Sequence, residues 1–114
     1  ASEDSKKTIE FEDFTKLDVK VAVVVDAEAH PNADRLLKLS VDVGEAELRT
    51  VCAGIASVYK PAELIGKRVA LLANLKPRKI RGVLSQGMIL AAGEGETMRL
   101  VEVSEDPKSG EGIR

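Results

Sequence analysis

An alternation of apolar and polar side chains over residues 17–29 constrains the fold of this chain more than any other stretch. All of its odd positions are apolar, and Asp18, Lys20, Asp26 and Glu28 occupy even positions. Because successive side chains of a β-strand point to opposite faces, a period of two predicts one long, half-buried strand. A strand of this length usually curves and pairs with more than one neighbour, as the first strand of a small barrel does.

Apolar runs predict the rest of a β-rich fold. They place further strands at residues 37–43, 47–53, 69–73, 88–92 and 98–103. Between the third and fourth strands, Pro61 at a first helical position and Gly66 beyond the last turn predict one short helix. This order favours an all-β OB-fold, a five-stranded Greek-key barrel with a short helix between strands three and four. An SH3-like barrel is the nearest alternative.

The length of 114 residues predicts a single domain. Residues 1–10 are polar and charged, so we expect a flexible leader or the remnant of a linker there. Residues 11–114 are then the OB-fold domain. Phe11 and Phe14 are three positions apart, so one helical turn is expected to pack both rings against the barrel.

The residue content argues against catalysis, metal binding and membrane insertion. His30 is the only histidine and Cys52 the only cysteine. Because acid–base catalysis, thiolate chemistry and zinc sites usually combine several such side chains, we expect no catalytic residue, metal or cofactor. His30 is instead predicted to be a hydrogen-bonding residue of a turn. No apolar run approaches the roughly 20 residues of a membrane span, and the single cysteine favours the cytoplasm.

A dense group of cations points to function: Lys76, Arg78, Lys79 and Arg81. They lie within residues 60–81, where seven cations against one anion give a net charge of +6 in a chain whose total is −2. Pro77 stiffens the backbone, which predicts a rigid basic loop, and glycines bracket the polar pair Ser85 and Gln86 in a predicted turn. These residues predict an anion-binding edge, with a merely solvated basic loop as the alternative from charge alone.

The aromatic content decides which nucleic acid would suit this edge. Proteins that bind single strands usually stack bases on surface aromatic rings. Aromatic residues make up 3% of this chain, and none lies in a predicted strand. Contacts from cations to phosphates, with polar side chains on sugars or base edges, therefore favour structured RNA that is recognised by shape.

Three motifs of this chain resemble those of a known family of tRNA-binding domains. They are HPNADRL, KPAELIGK and ANLKPRKIRGVLSQGMILAA, and the resemblance covers residues 11–103. Such domains are found at the C-terminus of many bacterial methionyl-tRNA synthetases, in endothelial monocyte-activating polypeptide II and in free-standing tRNA-binding proteins. The resemblance implies an OB-fold that binds the folded corner of tRNA with little sequence preference and has no catalytic activity of its own.

The resemblance also implies contact residues and an assembly. The family's tRNA contacts carry over onto Asn74, Lys76, Arg78, Lys79, Arg81, Ser85, Gln86 and Met88. The family implies a homodimer, for which the predicted strand at residues 98–103 and the Phe11–Phe14 pair are candidate seams. A synthetase catalytic domain in the same chain is an expected partner, and no membrane is.

Two other functions stay open at this point. One is a free-standing, export-related chaperone of the same fold, a dimer that binds unfolded polypeptide through an apolar groove. The other is a structural dimerisation module whose basic loop binds nothing. The predicted function is structure-specific, largely sequence-independent tRNA binding and dimerisation, as the C-terminal domain of a methionyl-tRNA synthetase.

Overall fold

The computed structural model describes residues 6–114, so the first half of the predicted leader lies outside the described residues. The long strand expected within residues 17–29 is β1, Val19–Ala29. The helices are α1 (Phe11–Phe14) and α2 (Pro61–Leu64), and a 3-10 turn spans Gly95–Thr97. The other strands are β2 (Leu37–Asp42), β3 (Arg49–Ala53), β4 (Arg68–Leu72), β5 (Arg78–Ile80), β6 (Val83–Ser85), β7 (Met88–Ile89), β8 (Ala91–Ala92), β9 (Arg99–Leu100) and β10 (Gly112–Ile113).

The main sheet is antiparallel, in the order β3-β2-β1-β4-β7. The first half of β1 pairs with β4 and its second half with β2, so the long strand pairs with more than one neighbour, as predicted. The sheet closes on itself where Gln86, just after β6, donates its backbone N–H to the carbonyl of Thr50 on β3 at 2.8 Å. With α2 between β3 and β4, this confirms the predicted OB-type barrel.

A bulge in β1 changes which of its side chains face the core. Val24 pairs with Val41 and Asp26 with Ser40, so Val25 is the extra residue, and it is 45% exposed. Ala22 and Val24 belong to the core cluster before the bulge, and Ala27 packs against it afterwards. One inserted residue moves the alternation to the other face, so the apolar odd positions do not form a single buried face.

The short helix lies where the sequence placed it and packs against β1. Pro61 is its first residue, and Leu64 on its inner side is fully buried in the core. Glu63 accepts the backbone N–H of Lys60 through Oε1 at 2.7 Å, which satisfies a donor at the helix start. Gly66, just beyond, has φ +91°, the left-handed conformation that glycine adopts without strain.

Several sequence-based expectations for α1 and for the last quarter of the chain were wrong in detail. The predicted strand at 88–92 is divided into β7 and β8, and the one at 98–103 reduces to β9. The C-terminal residues, where no strand was predicted, add β10 to the edge of β1. The helical turn α1 forms, but Phe11 is 77% exposed, so the expected packing of both rings on the barrel is wrong. The rings lie against each other instead, with centroids 6.1 Å apart.

Candidate nucleic-acid interface

The cationic segment is a β-hairpin, where a rigid loop was predicted. Strands β5 and β6 pair with Ile80 opposite Val83, so Arg81 and Gly82 alone form the turn. Both have positive φ, +52° and +88°, which two-residue turns of type I′ require. The only sequence signal for this hairpin was an arginine–glycine pair with Ile80 before it and Val83 after it. It is weak because a left-handed arginine is uncommon and each strand has three residues.

Two of the four cations lie on opposite faces of the ribbon, while Lys76 precedes β5 and Arg81 lies in the turn. Arg78 pairs with Ser85 and Lys79 with Leu84, so these neighbours point to opposite sides. Lys76, Arg78, Lys79 and Arg81 are all exposed. Among residues 6–114, no ion pair includes any of the four. No acidic residue occurs from position 64 to 93, so the positive charge of this ribbon is not neutralised within its own segment.

A groove of about 330 Å³ lies beside the inner face of the hairpin. Leu36, Leu75, Ile80 and Met88 provide apolar lining, while Lys76 and Arg78 add positive charge. Met88 is 45% exposed although its neighbour Ile89 is buried, so its side chain is available to a ligand. The groove therefore brings together four of the predicted contact residues: Lys76, Arg78, Ser85 and Met88.

Cys52 also lines this groove, in contact range of Ser85. Its backbone N–H donates to Ser85 Oγ at 3.0 Å. Burial raises the pKa of the Cys52 thiol, and the nearby Lys38 opposes that shift. Since the thiolate is the reactive form of cysteine, a raised pKa disfavours nucleophilic chemistry here.

The three predicted polar contacts all have partners within the chain. Asn74 accepts the backbone N–H of Asp18 at 2.9 Å and donates to the carbonyl of Lys16 at 2.7 Å. Gln86 accepts the backbone N–H of Thr50 through Oε1 at 3.0 Å. Ser85 is 5% exposed and bonded to Cys52 as above. These bonds hold one end of residues 74–86 against the segment just before β1 and the other end against β3.

Arg49 is a residue at this site that sequence reasoning missed. Its guanidinium makes a bidentate pair with Glu45, with both N–O distances at 2.8 Å. The same group donates to the carbonyls of Ala73 at 2.7 Å and Gln86 at 3.2 Å. The side-chain bond to Glu45 raises the pKa of Arg49, and the bond from Arg49 lowers the pKa of Glu45. The four-residue spacing of Glu45 and Arg49 was visible in the sequence, but their two carbonyl partners were not.

Neither a metal-binding cluster nor a membrane-spanning helix occurs in the described part of the chain. Residues 6–114 contain no group of three or more His, Cys, Asp or Glu side chains that could hold a metal ion. Within the same residues, no helix has the length and apolar character needed to cross a membrane.

Comparison with protein families gives one match, which covers most of the chain. Residues 19–112 match the family described as "Putative tRNA binding domain". A methionine–tRNA ligase of Pyrococcus horikoshii is 47% identical over 106 residues, which are 93% of this chain and 14% of that protein. A methionine–tRNA ligase of Halalkalibacterium halodurans is 53% identical over 95 residues, which are 83% of this chain and again 14% of the relative. The chain therefore spans about one seventh of the length of these relatives.

Solved structures of the same shape include a MetRS-related protein and a chaperone. A MetRS-related protein from Pyrococcus horikoshii superposes with a TM-score of 0.88 and 36% identity, covering 96% of this chain and all of that one. The chaperone CsaA from Bacillus anthracis superposes with a TM-score of 0.84 and 28% identity, covering 95% of this chain and all of that one. The fold is thus shared with solved structures whose names describe different kinds of protein.

Proposed function

This chain belongs to the family of tRNA-binding domains, and from that premise we propose that it binds tRNA through the hairpin β5–β6. Because the chain corresponds to about 14% of the methionine–tRNA ligases that it matches, we propose that it is an appended domain of such an enzyme. In that setting it supplies RNA affinity, the catalytic reaction belongs to the rest of the enzyme, and both act in the cytoplasm.

The observation that carries this proposal is the exposed positive charge of the hairpin, which takes part in no ion pair among residues 6–114. A two-stranded ribbon with cations on both faces can contact phosphates on two sides at once. Each phosphate contact releases counterions, so the interaction strengthens steeply at low salt. Carboxylates elsewhere on the chain weaken this field little, because mobile ions screen exposed charges beyond about 8 Å at physiological ionic strength.

The eight predicted contact residues divide into two roles in this proposal. Lys76, Arg78, Lys79 and Arg81 contact phosphates, and Met88 contributes apolar contact at the mouth of the groove. The other three, Asn74, Ser85 and Gln86, hold the segment in place from the barrel side. Apolar groove lining distinguishes bases poorly, and phosphate contacts carry no sequence information, so recognition is largely independent of sequence.

The test is a titration of tRNA at several salt concentrations. The binding variant replaces Lys76, Arg78, Lys79 and Arg81 with alanine. Four phosphate contacts at about 0.7–0.9 log units each predict that the slope of log affinity against log salt falls by roughly 3.

The control variant replaces four other exposed cations with alanine and lowers the net charge equally: Lys6, Lys60, Lys108 and Arg114. It should keep most of the salt slope, because its charges lie outside the hairpin. Equal slopes in the two variants would show that tRNA responds to net charge and would contradict the proposed site.

We also propose that the protein is a homodimer through the exposed apolar residues near α1. Ile9, Phe11, Phe14 and Leu17 are all exposed large hydrophobic residues within one short segment. In the other predicted seam, Leu100 is buried in the barrel core, so that strand offers less free apolar surface. Light scattering should give the mass of a dimer for the wild type and of a monomer for Phe11→Asp. A wild type that is monomeric at tens of micromolar would contradict the dimer.

A chaperone function is the second candidate, and the groove favours it. The apolar residues Leu36, Leu75, Ile80 and Met88 could accept side chains of an unfolded polypeptide. The discriminating assay is suppression of the aggregation of a denatured protein. Suppression that survives loss of the four hairpin cations but is lost in Met88→Asp would favour the chaperone; loss of tRNA binding alone in the cation variant would favour the RNA function.

A further inference from the structure

The HPNADRL motif contacts the tip of the cationic hairpin, although it is about fifty residues away in sequence. His30 is 5% exposed, and its Nδ1 accepts the backbone N–H of Asn32 at 2.9 Å. Its Nε2 lies 2.9 Å from the carbonyl of Ile80, the last residue of β5. A carbonyl can only accept, so the hydrogen of the neutral ring sits on Nε2, and the ring bridges a turn and the hairpin.

Asn32 holds the next carbonyl of the same turn. Its Nδ2 donates to the carbonyl of Arg81 at 3.1 Å. The neighbouring Gly82 packs close to it, since a Cβ at that position would stand 3.8 Å from Asn32 Nδ2. Two consecutive carbonyls of the hairpin, those of Ile80 and Arg81, are therefore bonded from outside by side chains of one motif.

The hairpin needs such support for three physical reasons. An isolated two-stranded hairpin is marginally stable at best, and these strands have three residues each. Arg81 adopts a left-handed conformation that a side chain disfavours. The cations of the ribbon repel one another until an anion binds. A ribbon left loose would lose conformational freedom on binding RNA, and that loss would weaken affinity.

We propose that His30 and Asn32 are positioning residues for RNA binding, which hold the tip of hairpin β5–β6 in its binding conformation. Arg49 holds the base of the same segment through the carbonyls of Ala73 and Gln86. The proposal rests on the proposed tRNA function but concerns residues that do not touch RNA. It assigns a role in RNA binding to a turn for which the sequence predicted only hydrogen bonding by His30.

Three substitutions test separately the hydrogen bonds that His30 and Asn32 make to the hairpin. Asn32→Ala removes the bond to Arg81 from an exposed position, so the fold should survive. His30→Gln keeps a donor for Ile80, because the glutamine amide nitrogen lies as many bonds from Cα as Nε2 does. His30→Asn keeps an acceptor at the place of Nδ1 and loses the bond to Ile80. Thr97→Ala is the matched control, since it removes an exposed side-chain bond to the carbonyl of Glu94 in an unrelated turn.

Two measurements are made on each variant, well below its thermal midpoint: tRNA affinity and amide hydrogen exchange along β5 and β6. Loss of one net hydrogen bond predicts roughly two- to tenfold weaker tRNA binding for Asn32→Ala and His30→Asn. Their hairpin amides should exchange faster while amides of β1 and β4 do not. His30→Gln should stay near the wild type in both measurements, and so should Thr97→Ala.

The outcomes separate this proposal from the proposed function. Unchanged exchange in the hairpin of Asn32→Ala and His30→Asn would overturn the positioning role, whatever happens to tRNA affinity. Equal effects of His30→Gln and His30→Asn would also overturn it, because they would reflect loss of a buried imidazole alone. If the wild type does not bind tRNA but the hairpin amides of Asn32→Ala and His30→Asn exchange faster, the proposed function is refuted. The role of His30 and Asn32 in holding the tip of the hairpin is then still supported.

Discussion

Replacing Ser85 with alanine tests whether this residue contacts RNA or holds the barrel closed. The substitution removes the acceptor of the Cys52 N–H at 3.0 Å and a donor to the carbonyl of Gly87 at 3.3 Å. An unsatisfied buried polar group costs about 1–3 kcal/mol, and the longer bond adds little. We therefore expect a loss of about 2 kcal/mol in the free energy of unfolding. For a domain of this size that corresponds to a thermal midpoint lower by roughly 8 °C.

The measurement combines urea unfolding, followed by circular dichroism, with a tRNA titration at a temperature where every variant is folded. If Ser85 acts by holding the barrel closed, the free energy of unfolding falls, and the affinity of the folded protein for tRNA changes by less than about twofold. Ser57→Ala is the matched control, because Ser57 is an exposed serine on the same barrel. It should leave both quantities at their wild-type values.

Two results would refute the reasoning about Ser85. An unfolding free energy equal to that of the wild type would mean that the bond to Cys52 does not stabilise closure of the barrel. A tenfold loss of tRNA affinity with unchanged stability would mean that the hydroxyl contacts the RNA directly. Ser85 would then join the cations of the hairpin as a contact residue.

Three further predictions concern stability and reactivity. Because Arg49 lowers the pKa of Glu45 below its ordinary 4.5, that carboxylate stabilises the fold above this pH and less as the pH falls. Glu45→Gln should therefore lose less stability than the wild type between about pH 6 and pH 3, measured by urea unfolding. Burial raises the pKa of the Cys52 thiol, so a disulfide reagent at about pH 7.5 should label the folded protein more slowly than the urea-unfolded one. Gly87→Ala should lower the unfolding free energy by more than about 1 kcal/mol, because φ is +137° and the new Cβ would stand 3.0 Å from the carbonyl of Leu72. Gly112→Ala, in open space, is its control and should change little.

Elements with a strong local signal could be predicted from the sequence. The long strand β1, the β2–β3 hairpin and helix α2 all formed where period or end signals placed them. Their determinants are the side chains of the elements themselves, namely alternation in the strands and a proline and a glycine at the helix ends. The cationic hairpin was missed because its strands are short and its turn has a poor local signal.

The roles of the polar residues could not be predicted in the same way. Ser85, Gln86 and Asn74 lie in a loop-like segment bracketed by glycines. Apart from the bond of Ser85 to Gly87, their side chains bond to backbone groups 33 to 58 positions away. Which backbone groups lack a ladder partner depends on where the barrel closes. The same is true of His30, whose carbonyl partner lies 50 positions away in a hairpin that the sequence did not reveal.

By itself the sequence determined the barrel order, the family and the number of cations in residues 76–81. Those properties depend on neighbouring residues, whose spacing is fixed by the covalent chain. Only the tertiary structure decided the phase of β1 across its bulge, the two cationic faces of the ribbon and the side chains that support it. These depend on strand register and on closure of the barrel, because a hydrogen bond forms only where folding brings a donor and an acceptor within about 3 Å of each other.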